Sequence, residues 1–178
     1  MPSGPLAAGD VVLRGYADTD TAMLTDLATD LYVALIGTLP SRADEVAALA
    51  YVERQRGRAA EGVGWSFCIA DRTTDEALGG AGLWLVRDDP ARLTAGYLVA
   101  PRSRGRGVAR DALRALTSFA WTVSTAARVE LFVEPWNVAS LRTAEGAGYV
   151  REALLHQQPL GDRRVDLVRF ATGRPAPR

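Results

Sequence analysis

The sequence predicts a single mixed α/β domain with a central sheet of about seven strands and about four helices. Three observations predict this fold class. A chain of 178 residues is long enough for one ordinary domain and too short for two. Segments with the apolar spacing of helices are interspersed with segments in which apolar and polar residues alternate, as in strands. No repeat, linker or low-complexity tract divides the chain, so we expect one domain over 1–178 with an ordered core over about 10–172.

The first third of the chain predicts one strand followed by two helices. The strand covers 11–15, after a segment with Pro and Gly that we expect to be frayed. A helix over about 19–35 follows an Asp-Thr pair suited to capping, and its apolar residues have helical spacing. Pro40 breaks this helix, and a second one follows over 42–56.

The remaining segments predict six strands and two further helices. Alternation beginning at Trp65 predicts the first of these strands. Seven apolar residues of a long segment after Gly107 fall on one face, which predicts an amphipathic helix. In chain order the predicted elements are strands 65–70, 77–86 and 93–100, helix 107–124, strand 128–134, helix 138–145, and strands 149–155 and 163–170.

Composition excludes several classes of protein. The 21 basic residues, all Arg, balance 21 acidic residues to a formal net charge of +0, which argues against a general nucleic-acid or membrane-surface protein. No stretch approaches the ~18 apolar residues of a membrane-spanning helix, and residues 1–10 lack the pattern of a signal peptide. The single cysteine, Cys68, permits no intrachain disulfide, so we expect a reducing, cytoplasmic location. Cys68 itself is interpreted as a buried core thiol.

The segment 96–110 carries the clearest functional signal. It reads Gly-Tyr-Leu-Val-Ala-Pro-Arg-Ser-Arg-Gly-Arg-Gly-Val-Ala-Arg, a strand that runs through a glycine turn directly into a helix. Unpaired N–H groups of a first helical turn and glycines without Cβ suit the binding of a phosphate. Arg104 and Arg106 add charged donors. The segment is not a Walker A loop, and Arg110 stands where a dinucleotide fingerprint needs its third glycine.

Two motifs give the chain a family resemblance. Val99-x-Pro101-x-x-Arg104-Gly105-x-Gly107-x-Ala109 resembles the acetyl-CoA motif of the GNAT superfamily of N-acetyltransferases, although a frame beginning at Arg102 also fits. The run 130–149, with its Asn-x-x-Ser and Ala-Gly-Tyr elements, is similar to the second cofactor motif of the ribosomal-protein N-terminal acetyltransferase branch. The matched element order covers about 10–171, whereas the specific motifs cover only 96–110 and 130–149.

The resemblance implies a three-layer GNAT-like fold and a set of residues that bind acetyl-CoA. The strand before the loop would lie along the pantetheine arm, and the loop would surround the pyrophosphate. The implied cofactor-binding residues are Tyr97, Leu98, Val99, Arg104, Gly105, Arg106, Gly107, Val108, Ala109, Arg110 and Asn137.

Two positions in the second motif have alternative interpretations. Asn137, the only asparagine of the chain, would hydrogen-bond the cofactor, and it also suits the N-cap of the helix that follows. Ser140 would donate a proton to the departing thiolate, or it is a surface serine without a chemical role. Many members of the superfamily carry a tyrosine as proton donor at the position of Ala144, so the chain departs from the pattern there.

No residue stands out as the base that accepts the proton of the amine. Glu130 and Glu134 share one face of the predicted strand 128–134 by alternation, and Glu130 is the preferred candidate because it matches an acidic position common in the similar branch. The alternative is a solvated or ion-paired carboxylate. The superfamily member with a catalytic glutamate on this strand carries it at the position of Phe132, where this chain departs. His156 is interpreted as a surface imidazole, with a role as base or substrate contact as the alternative.

Other charged groups have ordinary explanations. Arg106, Arg110 and Arg114 are spaced by four and suit a solvated helix face, and the lack of interleaved aromatic residues argues against nucleic acid. Asp26 and Asp30 could attract a cationic amine or simply lie on a helix surface. We expect no metal site. A homodimer is compatible with the resemblance, but no segment demands one.

The resulting hypothesis is an acetyl-CoA-dependent N-acetyltransferase that acylates a primary amine directly. The acceptor is a protein N-terminal α-amine or a small amine such as a metabolite or antibiotic, and the sequence does not separate them. The alternative is a catalytically silent acyl-CoA-binding sensor domain. Nucleotide binding through the same loop is disfavoured because the acidic ribose partner and further βαβ units are missing.

Overall fold

The structure, a computed structural model, describes residues 6–176. It is a mixed α/β fold in which one eight-stranded sheet has the strand order β1-β2-β3-β4-β5-β6-β8-β7. The strands are β1 (Leu6–Ala8), β2 (Val11–Arg14), β3 (Gly64–Asp71), β4 (Ala77–Leu85), β5 (Arg92–Val99), β6 (Arg128–Val133), β7 (Val150–Leu160) and β8 (Arg163–Gly173). The helices are α1 (Thr21–Leu27), α2 (Leu31–Ile36), α3 (Glu45–Gly57), α4 (Val108–Val123) and α5 (Val138–Gly146). The predicted fold class is confirmed, with one more strand and one more helix than expected.

The additional strand lies in the segment that was expected to be frayed. Residues 6–8 pair antiparallel with β2, from Leu6 opposite Leu13 to Ala8 opposite Val11, across a turn at Gly9. The other predicted frayed end is ordered as far as Arg174, whose guanidinium donates to three backbone carbonyls, including those of Trp121 and Ala126. Residues 1–5 and 177–178 lie outside the described residues.

The additional helix arises because the predicted helix over 19–35 is interrupted. α1 ends at Leu27, and Asp30 begins α2 by accepting a hydrogen bond from the Tyr32 N–H at 3.0 Å. A short acidic side chain favours such a cap over a continuous helix. The prediction of one apolar face is therefore wrong beyond the break, where Leu31 and Leu35 are exposed.

Helices cover both faces of the sheet. Alternation along β3 directs Phe67 and Ile69 into the core beneath α4, and Cys68 into a second core beneath α1 and α3. The Cys68 thiol is buried, as predicted, and burial raises its pKa. Two cores separated by one sheet give the expected three layers.

The sheet opens between β5 and β6, which form its only parallel pair among the described residues. Pairing covers Arg92–Thr94 of β5 against Arg128–Glu130 of β6, and the rest of both strands has no partner on this side. The Ala100 N–H donates to Leu78 O in β4. Because alternate residues of an antiparallel strand bond to the same neighbour, the backbone groups of Tyr97 and Val99 point away from β4. Their N–H and C=O groups therefore face the opening.

Asp20 and Arg14 form an ion pair beside β2. Arg14 donates from both terminal nitrogens to the carboxylate at 2.9 and 2.8 Å, and the Ala17 N–H donates to it at 2.8 Å. Burial disfavours the charged carboxylate, but these hydrogen bonds outweigh it and lower the pKa of Asp20. Because the pKa is lower in the folded state, the stabilisation is fully present above the unfolded value near 3.9 and is lost as the pH falls through the folded value.

We expect Asp20→Asn to reduce the free energy of unfolding at pH 7 by about 3 kcal/mol, because it leaves the Arg14 guanidinium without its principal partner. Urea unfolding of both proteins from pH 7 down to pH 2 measures this difference, which should shrink at the acidic end. Asp18→Asn, which breaks an exposed pair with Arg56, serves as the control with a much smaller effect. A difference that is the same at every pH would contradict the assignment.

Candidate active site

The turn between β5 and α4 presents a row of backbone donors. Gly105 and Gly107 adopt φ values of +77° and +79°, a region that side chains disfavour, and Gly107 is the N-cap of α4. The Asp111 N–H donates to Gly107 O at 3.1 Å, whereas none of the N–H groups of residues 105–110 has a hydrogen-bond partner within residues 6–176. These donors lie at the positive end of the 16-residue helix α4 and suit an anion.

The arginines of this turn differ in their surroundings. Arg104 folds back across the end of β5, donating to Val99 O at 3.0 Å and to the Asp30 carboxylate at 2.6 Å. Arg110 pairs with Asp111 at 2.8 Å. Arg106 is exposed and has no ion pair among the described residues. Two of the three charges are thus already balanced by neighbouring carboxylates, and the backbone supplies most of the free donors.

A cavity of about 720 Å³ lies against this turn, between β5, α4 and α5. We call it the loop cavity. All the sequence-predicted site residues line it except Arg106 and Glu130. They are Tyr97, Leu98, Val99, Arg104, Gly105, Gly107, Val108, Ala109, Arg110, Asn137 and Ser140.

Asn137 begins α5 at the edge of the loop cavity. Its side-chain oxygen accepts a hydrogen bond from the Ser140 N–H at 3.1 Å, and its own N–H donates to Glu134 O. The N-cap interpretation of Asn137 is therefore what the structure shows. The side chain also lines the cavity, so a contact with a ligand remains a prediction.

A second cavity, of about 410 Å³, lies on the other side of the opening. We call it the aromatic cavity, because Tyr16, Tyr32, Tyr51, Trp84, Tyr97 and Phe132 line it. Glycines of β4 and β5 make room for two of these rings. A Cβ at Gly82 or Gly96 would lie 2.9 Å from the Trp84 indole, and one at Gly80 would collide with the Tyr16 hydroxyl. The Trp84 indole therefore lies against Gly82 and Gly96 and lines the cavity.

The two cavities meet where β5 and β6 diverge. A small set of residues lines both of them: Tyr32, Ile36, Tyr97, Leu98, Asn137 and Ser140. We call this set the junction. A ligand in the loop cavity and a second ligand in the aromatic cavity would contact each other at the junction, beside Ser140.

A buried carboxylate lies next to the junction, on the side of the aromatic cavity. Glu134 is only 6% exposed, and it accepts hydrogen bonds from the Tyr32 hydroxyl at 2.9 Å and the Trp136 indole N–H at 3.0 Å. Arg163 lies 3.5 Å away. Burial and the bond to this carboxylate raise the pKa of Tyr32, so its hydroxyl remains a donor.

Glu130, the base preferred from the sequence, lies elsewhere. It is 2% exposed and is held by Arg92 at 3.3 Å and Arg128 at 3.1 Å. It pairs with Thr94 in the last register position before the strands diverge, so it contributes to neither cavity. Of the two interpretations, the ion-paired carboxylate is what the structure shows for Glu130, and the structure does not bring Glu130 together with the other site residues.

Comparison with known proteins identifies the family of this arrangement. The sequence pattern of the acetyltransferase (GNAT) domain matches residues 10–150. The chain belongs to the GNAT acetyltransferase family. The resemblance seen in the two motifs is thereby confirmed.

The matches to individual GNAT relatives cover different shares of the chain. The uncharacterized N-acetyltransferase p20 of Bacillus licheniformis is 28% identical over 112 residues, which are 62% of this chain and 63% of p20. Mycobacterium smegmatis RimJ in complex with CoA-disulfide shares the fold with a TM-score of 0.77 and 22% identity, over 96% of this chain and 86% of RimJ. A GNAT-family acetyltransferase from Bacillus anthracis shares it with a TM-score of 0.77 and 17% identity, over 93% and 96% of the two chains.

The departure from the GNAT pattern at Ala144 has a structural counterpart. Ala144 is fully buried and lines neither cavity, whereas Ser140, one turn earlier in α5, reaches the junction.

The Tyr97 hydroxyl is a further junction group, buried without a hydrogen-bond partner within residues 6–176. Burial raises the pKa of Tyr97, and the nearby hydroxyls of Ser140 and Thr143 lower it in part.

The other charged residues considered from the sequence either lie apart from this GNAT site or already have hydrogen-bond or ion-pair partners within the protein. His156 is exposed on the β7–β8 hairpin and pairs with Asp166 at 2.9 Å. Asp30 holds Arg104, and Arg114 donates to the carbonyl of Gly146 at 2.6 Å. Within residues 6–176, no helix is both long and apolar enough to cross a membrane, and no cluster of His, Cys, Asp and Glu could hold a metal ion.

The aromatic cavity has lining residues that sequence reasoning did not single out. Tyr32, Gln55, Arg58 and Trp84 line it from three elements, α2, the end of α3 and β4, and none of them belongs to a motif. One usable signal was present, because glycines inside a strand often mark the close approach of another group. Gly80 and Gly82 occupy such positions in β4.

Proposed function

We propose that this GNAT protein transfers an acetyl group from acetyl-CoA directly to a primary amine, either a protein N-terminal α-amine or a small amine. One observation carries the proposal. A cavity lined by free backbone donors and a cavity lined by aromatic rings meet at Ser140, between two strands that have separated. Such a junction suits a reaction between two substrates that enter from opposite sides.

The residues of the loop cavity fit the diphosphate and pantetheine of acetyl-CoA. Residues 105–110 offer N–H groups without partners, and the left-handed glycines leave that backbone accessible. The backbone N–H groups of Tyr97 and Val99 and the carbonyl of Tyr97 face the same cavity and could bind the amides of the pantetheine arm, whereas Val99 O already accepts from Arg104. The complex of RimJ with CoA-disulfide supports the same cosubstrate class.

The amine must lose a proton to react. At pH 7 an α-amine with a pKa of about 7.7–8.0 needs about 1–1.4 kcal/mol to become neutral, and an alkylamine near 10.4 needs about 4.6 kcal/mol. Glu134 is the carboxylate of the aromatic cavity that lies beside the junction. We propose that Glu134 accepts this proton, directly or through one water.

The departing thiolate must gain a proton. The Ser140 hydroxyl reaches the junction and is the proposed donor, with the buried Tyr97 hydroxyl close to it. The new N–C bond forms as the C–S bond breaks. The ammonium first gives one proton to Glu134, and the neutral amine attacks. The second proton, which the nitrogen loses as the amide forms, replaces the one that Ser140 gives to sulfur.

A test of the proposal is release of free thiol from acetyl-CoA with a panel of peptide α-amines and small amines. We expect thiol release that depends on the amine, with an acetylated amine found by mass spectrometry. Calorimetric titration of acetyl-CoA serves as the parallel measurement. Binding of acetyl-CoA without thiol release in the presence of any amine would support the alternative of a silent acyl-CoA sensor. Ala144, in place of a proton-donating tyrosine, is a feature of the sequence that motivates this alternative.

A further inference from the structure

The end of the aromatic cavity farthest from the junction contains polar groups without partners. Gln55 and Arg58 come from the end of α3, and Ser66 comes from β3. The Ser66 hydroxyl donates to Gln55 Oε1 at 2.9 Å, which directs the amide nitrogen away from it. Gln55 is 6% exposed. Its Nε2 and the Nε of Arg58 are buried and have no hydrogen-bond partner within residues 6–176.

Arg58 gives this end of the cavity a positive charge. Of the described residues that line the cavity, only Arg58 and Glu134 carry a formal charge at neutral pH. Glu134 is engaged by Tyr32, Trp136 and Arg163 beside the junction. The nearest carboxylate to Arg58 belongs to Glu61, at 4.0 Å, and it is largely exposed. Buried donors without an acceptor are unfavourable, and a second cation would be repelled by Arg58.

A pair of phenols adds a neutral donor to the same region. Tyr16 and Tyr51 are almost fully buried, with their rings in edge contact at 5.9 Å. Burial raises the pKa of both hydroxyls, so neither carries a negative charge at neutral pH. The two hydroxyls also interact with each other, so the pair offers one donor to a ligand. The far end of the cavity therefore combines a guanidinium, an amide nitrogen and a phenol donor, a set that suits an oxyanion.

The strand register indicates how far this end lies from the reacting groups. Ser66 pairs with Gly82, and Gly82 pairs with Gly96, the neighbour of the junction residue Tyr97. Two strand spacings separate Ser66 from Gly96, which is about 10 Å. The Trp84 ring lies against Gly82 and Gly96 and offers an apolar surface along this path.

We infer that the acceptor carries an oxyanion, a carboxylate or a phosphate, about 10 Å from its amine, and that Arg58 and Gln55 bind this group. The inference rests on the proposed function, because it places the reacting amine at the junction. It favours acceptors with an acidic far end, such as short peptides or amino acids with long side chains, over polyamines.

Four linear amines of matched length test the inference: 8-aminooctanoate, 6-aminohexyl phosphate, octylamine and 1,8-diaminooctane. They differ only at the far end, which is a carboxylate, a phosphate, a methyl group or a second cation. We expect kcat/KM to be at least about 10-fold higher for one of the two anionic amines than for octylamine, and lowest for 1,8-diaminooctane. The preference between carboxylate and phosphate identifies the anion.

Arg58→Gln should remove this preference by raising KM for the anionic amine, and Arg58→Glu should reverse it in favour of 1,8-diaminooctane. Arg87→Gln is the matched control, because it removes an exposed arginine in the β4–β5 turn that lines neither cavity.

Binding of each amine is also measured by calorimetry in the presence of CoA. Equal kcat/KM for all four amines, or an unchanged ratio in Arg58→Gln, would overturn the inference alone. Selective binding of the anionic amines without any turnover would support it and overturn the proposed acetyl transfer instead.

Discussion

Replacing Gly107 by valine should weaken the binding of acetyl-CoA about 100-fold while the protein remains folded. Gly107 has φ +79°, which a β-branched residue strongly disfavours, and its new Cβ would lie 3.2 Å from the Arg110 guanidinium. The turn must therefore shift, and the N–H groups at the start of α4 shift with it. Loss of two charge-assisted hydrogen bonds to the diphosphate, each about 1.5 kcal/mol, corresponds to that change in affinity.

Isothermal calorimetry with acetyl-CoA measures the effect, and thermal unfolding shows whether the variant is folded. Gly62→Val is the matched control. Gly62 has φ +69°, a Cβ there would meet no atom within 4 Å, and the residue lines neither cavity. Both variants should lose similar stability from backbone strain, and only Gly107→Val should lose affinity. Equal affinity in the two variants would mean that the diphosphate binds somewhere other than this turn.

The turn was predictable from the sequence because its geometry is local. Pro101 ends β5, Gly105 and Gly107 permit left-handed backbone, and the amphipathic helix begins directly after them. Each of these features depends on residues within a few positions of one another. The N-cap at Asn137 is local for the same reason.

Interactions between distant segments could not be read in this way. Arg104 was expected to add a charge for a phosphate, but it pairs with Asp30, which is 74 positions earlier in the chain. The same aspartate interrupts the predicted helix over 19–35 by capping α2. Neither the ion pair nor the helix cap changes the local pattern of apolar residues from which the helix was predicted.

The choice between Glu130 and Glu134 shows the same limit in the site itself. Alternation correctly grouped the two glutamates by parity along β6, but it does not say where the neighbouring strand departs. β5 and β6 separate just after Thr94 and Glu130. Glu130 therefore lies in the paired part of the sheet between two arginines, and Glu134 lies beside the opening. The point of separation depends on the packing of both strands, not on the sequence of either one.

Glu134→Gln should lower kcat/KM for an amine acceptor about 100-fold at pH 7, the usual effect of losing a general base. Acetyl-CoA affinity should not change, because Glu134 lines the aromatic cavity and not the loop cavity. The deficit should shrink as the pH approaches the pKa of the amine, about 10.4 for an alkylamine, since a neutral amine needs no base. The measurement is kcat/KM from pH 7 to pH 10 for both enzymes.

Glu130→Gln distinguishes catalysis from stability in this experiment. Both glutamates are almost fully buried, both interact with arginine, and both substitutions leave a charged partner uncompensated. Both variants should therefore unfold at lower denaturant concentration than the parent protein. If Glu134 is the base, only Glu134→Gln loses activity per folded molecule, and only its deficit depends on pH. A pH-dependent loss in Glu130→Gln instead would return the role to the residue preferred from the sequence, and would require the sheet to open earlier in solution than it does in this structure.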